Sequence, residues 1–200
     1  MFKRILTMVA AGLIGVGCAT SSNQANAPIN ADGTAAKVEP VDFKEFPEGA
    51  IRAAAADIER QVSEGNREPT LAAPDGLILD TPRIRQAVRT RAVRAELVNT
   101  MLDSGHAWER ENGRLWVIRT GEYKAATTSR QRDIDAIMVN GENMDRWAIY
   151  EGIIEANKLG GGRLNEIEKI FFEVRVQHMK PGQKYESSDG KVAMIAAPSN

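Results

Sequence analysis

A helical pattern runs without interruption from about Ser129 to Leu159, and the glycines at 160–162 stop it. A rod of that length spans a small domain, so other elements must pack along it. A second helical pattern precedes it. Thr81 is placed to cap it, Pro82 suits the first helical position, and it runs to about Asp103 before Ser104 and Gly105 end it. At 100° per residue, Ile84, Val88, Ala95, Val98 and Leu102 form its apolar stripe. Arg83, Arg85, Arg89 and Arg94 read mostly as a solvated face. Arg91 is different, because the helical wheel puts it among the apolar residues.

Between the two helices lies "GHAWERENGRLWVI", with Asn112 and Gly113 between two runs that each carry a tryptophan. Asn-Gly favours a two-residue type I′ turn. That turn sets Glu109 opposite Trp116 and Trp108 opposite Val117. Trp108, Leu115 and Val117 then share the face expected to pack on the helices, and Trp116 and Ile118 share the other with Glu109. Pro47–Glu64 reads as a further helix and residues 66–80 as a connector, in which "LIL" can add a short strand. "TGEYKAATT" reads as a loop. The pattern over Asn165–Met179 reads as a last helix, with Asn165 and Glu168 as a capping box and Ile167, Ile170, Phe171 and Val174 as its stripe. A second hairpin centres on Asp189 and Gly190. The class is α+β, several helices packed with two short β-hairpins in a single domain over about residues 43–195.

The start of the chain is of another kind. "MFKR" and the short apolar run "ILTMVAAGLIGVG" lead to Cys18, the only cysteine. This is the pattern of an export signal, and Cys18 after "IGVG" resembles a bacterial lipobox whose cysteine is acylated. The alternative is an ordinary secretory signal cut after Ala19. Either way, the exported domain has no internal disulfide and must hold by packing. Residues 1–18 therefore read as a lipoprotein-type signal peptide, 19–42 as a flexible tether, 43–80 as an accessory helix and connector, and 81–195 as the main domain. The expected location is the periplasmic side of a bacterial membrane, the outer membrane in preference to the inner, with membrane attachment through Cys18. A net charge of -1 argues against nucleic acid as a partner.

Candidate chemistry is sparse. Asn143, Arg146 and Tyr150 project from one face of the long helix among Val139, Trp147, Ile153 and Ile154. Polar groups in an apolar stripe must be hydrogen-bonded. With Arg91 they make a polar cluster, either structural or a small ligand pocket in which Arg146 meets an anion. Both arginines should be buried and paired. His106 and His178 are the only histidines and lack the spacing of a metal motif. Glu109 beside a tryptophan could act as an acid if its pKa is raised; the alternative is pairing with an arginine. No catalytic residue, metal or cofactor is expected.

Three groups in register carry a family resemblance: Gly105, Glu109, Asn112, Gly113 and Leu115; then Asn143, Arg146 and Tyr150; then Pro181, Gly182, Tyr185, Asp189 and Gly190. Over about residues 82–192 the chain resembles the YdbL-like family of small bacterial envelope proteins. It departs from that pattern at Trp108, where members carry glycine, and at Val192, where they carry tryptophan. The resemblance implies an exported protein with a non-catalytic, protein-binding or chaperone-like accessory role, possible in envelope lipid transport. Its partner would be another envelope protein, and Trp116 with Ile118 is the candidate contact surface. The alternative is a small-molecule or lipid-fragment binder with a pocket around Arg146 and Tyr150.

Overall fold

The computed structural model describes residues 41–198, and all of them belong to one compact unit. The signal, Cys18 and nearly all of the tether lie outside the described residues. The elements in order are α1 (Glu48–Ser63), α2 (Pro82–Asp103), β1 (Ala107–Glu109), β2 (Leu115–Val117), α3 (Gly121–Ala126), α4 (Ser129–Asn157), α5 (Leu164–Gln177), β3 (Lys184–Glu186) and β4 (Val192–Met194). This is an α+β fold.

The caps explain most of the boundaries. The Thr81 hydroxyl accepts the Ile84 N–H at 3.2 Å and starts α2, and Thr128 accepts the Gln131 N–H at 3.1 Å and starts α4. α4 ends before the glycines, because Lys158 itself turns left-handed at φ 52°. The capping box proposed at Asn165 does not form. A 3-10 turn over Gly161–Arg163 runs straight into α5, so Asn165 is already inside the helix. "TGEYKAATT" also differs from its reading as a loop. Thr120 caps the short α3, whose Tyr123 is buried with its hydroxyl 2.8 Å from Asp135.

The first hairpin is shifted by one residue from the register that a type I′ turn would give. Ala107 pairs with Val117, Trp108 with Trp116, and Glu109 with Leu115. The Gly113 N–H closes on the Arg110 carbonyl at 2.9 Å, and only Gly113, at φ 72°, needs positive φ. The loop is a turn followed by one left-handed glycine, which takes one more residue than the two-residue alternative. One residue of slip exchanges the faces of a strand. β1 therefore turns over from its expected faces while β2 keeps them: Glu109 points inward with Leu115, and Trp108 joins Trp116 outside. The two hairpins join in a single sheet of order β2-β1-β3-β4, with β1 and β3 parallel.

The main core lies among α1, α2, α4 and α5, where Ile51, Ile58, Ile84, Ile149, Ile153 and Phe171 have no exposed surface. Each such side chain is worth roughly 1.5–3 kcal/mol over its exposed state. Gly152 lets α2 and α4 close, since a Cβ there would lie 2.7 Å from Ile84 Cγ1. A second cluster under the sheet joins Val98, Leu102, Ala107, Leu115, Met138 and Val139. α1 supplies part of the main core, so residues 43–80 are integral to the domain and not an accessory. "LIL" is not a strand: Leu77 and Leu79 are buried, while Ile78 gives its N–H and carbonyl to the Asn157 side chain at 2.7 and 2.9 Å. No helix among the described residues is long and apolar enough to cross a membrane.

Candidate functional site

Five elements each bring charge to the middle of the molecule: Glu59 from α1, Arg91 from α2, Glu109 from β1, Glu142 and Arg146 from α4, and Arg175 from α5. The slipped hairpin register is what turns Glu109 inward. Glu142 and Arg146 are one turn apart on α4, the spacing at which helical side chains meet. Arg146 donates from both terminal nitrogens to Glu109 at 2.7 and 2.8 Å, and from Nε to Glu142 at 2.8 Å. Arg91 forks onto Glu59 at 2.8 and 3.0 Å and reaches the same Glu142 oxygen at 2.8 Å. Arg175 bonds Glu109 and Glu59, each at 3.0 Å. The Gly113 carbonyl, at the hairpin tip, accepts from Arg175 and from the Tyr150 hydroxyl, both at 3.0 Å.

Removing six charges from water is expensive, several kcal/mol per ion, and only dense pairing offsets it. Here the three positive and three negative charges cancel. Burial pushes the Glu59 carboxyl upward, but Arg91 and Arg175 outweigh it and bring it down to about 2. Burial likewise opposes ionisation of Glu109 and Glu142, and the guanidiniums facing each hold both below the usual carboxylate range. Glu109 is thus a fixed anion paired with arginines, as one of its two sequence readings had it, and not an acid: a proton donor near neutrality needs the opposite shift.

Of the cluster read from sequence, Arg91, Arg146 and Tyr150 meet here, all buried. Asn143 does not join them. Its side chain accepts the Leu115 N–H at 2.8 Å and donates to the Leu115 carbonyl at 2.9 Å, acting as a partner strand along the edge of β2. Glu59, Glu142 and Arg175 were missed. Glu142 had a local signal, four residues before Arg146; Glu59 and Arg175 lie far away in sequence and had none. Trp116 is 52 % exposed on the outer sheet face, and Ile118 lies past the end of β2, half-buried. Trp108 does not pack on the helices as expected. The Arg110 guanidinium stacks against both indoles, 5.7 Å from Trp108 and 5.3 Å from Trp116. His106 packs edge-on to Tyr123, and His178 bonds the Val174 carbonyl through Nδ1.

The charge network forms the floor of an open cavity of about 550 Å³ between α1, α2 and the end of α5. Its walls are aliphatic, with Val62 from α1, Ala95, Val98 and Leu102 from α2, and Met179. Asn99, His178 and Gln183 add polar groups. Arg146 lines it but Asn143 and Tyr150 do not, so it is not the pocket around Arg146 and Tyr150 read from the sequence. Volume and lining fall in the range of small-molecule sites, about 300–1,000 Å³. Comparison with models of known families, with curated proteins and with solved structures finds no match.

Proposed function

We propose that the protein is an exported, lipid-anchored, non-catalytic binding protein of the bacterial envelope, and that the cavity between α1 and α2 is its ligand site. The YdbL-like motifs and the lipobox-like Cys18 support the envelope assignment. The cavity itself carries the binding assignment. Its aliphatic walls suit an apolar chain, and its floor offers no poised acid, base or nucleophile, because every floor carboxylate is held ionised between guanidiniums. The test is saturable binding of the neutral dye Nile red and its loss in Ala56→Trp, a change at an exposed α1 position lining the cavity. Binding that survives this substitution would overturn the reading. For the anchor, Cys18→Ser should move the protein from membranes to the soluble exported fraction; unchanged membrane association would refute it.

A second reading, contact with another envelope protein, rests on the outer sheet face. Trp116, Trp108, Lys184 and Met194 are successive cross-strand partners, so their side chains share that face, and Trp116, Val192 and Met194 are all more than half exposed. Their exposure supports Trp116 and Met194, in preference to Ile118, as the contact residues of this reading.

A further inference from the structure

Resting on the cavity as the ligand site, we infer that its ligand is an uncharged amphiphile, an aliphatic chain with a neutral hydrogen-bonding head such as a glycerol ester, an alcohol or an amide. Fatty carboxylates and lipid phosphates are excluded.

The floor sets the charge. Arg91 donates from all three nitrogens to Glu59 and Glu142, and Arg146 from all three to Glu109 and Glu142. Each nitrogen of Arg175 is likewise engaged, by Glu59, Glu109, Tyr150 and the Gly113 carbonyl. An incoming anion therefore meets no unengaged guanidinium nitrogen. It would instead face the Glu59 carboxylate, which bridges Arg91 and Arg175 at the cavity surface. The remaining lining charges, Asp57 and Arg60, pair with each other. The lining carboxylates and guanidiniums sum to zero, and one more charge would enter this site uncompensated.

The walls set the body. They are aliphatic and carry no Phe, Tyr or Trp ring on which a planar group could stack, which favours a flexible chain. The head meets three groups with capacity to spare: Glu142, whose Oε2 accepts no hydrogen bond among the described residues and suits a hydroxyl or amide donor, and the side chains of Asn99 and His178. Asn99 makes no side-chain hydrogen bond among the described residues, and Nδ1 of His178 bonds the Val174 carbonyl, leaving Nε2 for a ligand. An amide and an imidazole nitrogen match a hydroxyl or an amide better than they match a phosphate.

The experiment uses the full chain with bound Nile red, displaced by monolaurin, by laurate or by lauroyl-lysophosphatidylglycerol, each below its micellar concentration. Monolaurin should displace the dye at a concentration about tenfold or more below either anion. Glu59→Gln keeps the shape of the side chain and leaves the floor with one excess positive charge. Laurate should then gain about tenfold relative to monolaurin, and Glu96→Gln, an exposed change on α2 outside the lining, should leave their ratio as it is. Laurate equal to monolaurin on the wild-type protein would overturn the inference, as would a Glu59→Gln protein in which laurate gains nothing relative to monolaurin. The wild-type ranking decides the matter should that variant fail to fold. Dye binding that no single-chain amphiphile displaces also overturns the inference, yet leaves the cavity reading standing. No saturable dye binding removes both.

Discussion

The charge network and the outer sheet face both concentrate residues that read from sequence as functional, and they differ in one physical respect. In the network every guanidinium nitrogen has a partner and each arginine is at most 7 % exposed. On the sheet face, Trp116 and Met194 leave half or more of their surface in solvent, held on one side only. Dense pairing and burial make the first region a structural floor whose alteration should be felt as instability. Incomplete burial makes the second a surface whose alteration should be felt in binding. The contrast shows why a buried arginine is weak grounds for a ligand site: its donors have already been used.

The largest effect is expected at Arg146. Arg146→Ala leaves Glu109 to Arg175 alone and Glu142 to Arg91 alone, with one buried negative charge in excess, and should cost about 3–5 kcal/mol in denaturant unfolding. Replacing the central pair together, as Arg146→Met with Glu109→Leu, should recover part of that loss, because the buried charges again balance. A near-neutral Arg146→Ala would erase the contrast between the two regions.

Acid should act most strongly on the network, where three buried carboxylates are depressed, against Glu186 beside the sheet face. An unfolded glutamate takes a proton near 4.5, whereas folded Glu59 does so only at about 2, and Glu109 and Glu142 are also depressed. Between those values the unfolded chain binds more protons than the folded one, so stability falls as pH falls. These groups contribute a flat profile above about pH 4.5 and a steep loss from there toward pH 2. Urea midpoints measured across that range check it, and a midpoint independent of pH would contradict it.

Asn143→Ala should lie between the two regions. It removes both bonds to the exposed edge of β2 at Leu115 and should cost about 1–3 kcal/mol. Amide exchange should rise at Leu115 while the network stays protected. Trp116→Ala should be smallest, under about 1 kcal/mol, since only one stacking contact and partial burial are lost. A large fall in melting temperature would assign Trp116 to the core and end the contact reading.

Local signals in the chain were read well where the physics is local. Thr81, Pro82 and the apolar stripe of α2 place that helix to the residue, and the polar interruptions at Arg91 and Arg146 mark buried charge. Failure came where a distant partner decides. Asn-Gly permits two turn types, and the one formed is the one that delivers Glu109 to Arg146 and Arg175, which lie 37 and 66 positions away. The parallel pairing of β1 with β3 is equally non-local. Asn143 and Tyr150 share a helical face, but one meets the edge of a strand and the other the hairpin tip, a division that depends on where the hairpin docks.

A closed floor is tested most directly by nitrogen NMR of the arginine Nε–H groups in the free protein near pH 7. Arg91, Arg146 and Arg175 should give separate, slowly exchanging signals, shifted away from the overlapped envelope of exposed arginines, because each Nε–H donates to a buried carboxylate. Fast exchange, or collapse of these three signals into the solvent-exposed envelope, would contradict a densely paired floor and reopen the cluster as an anion site.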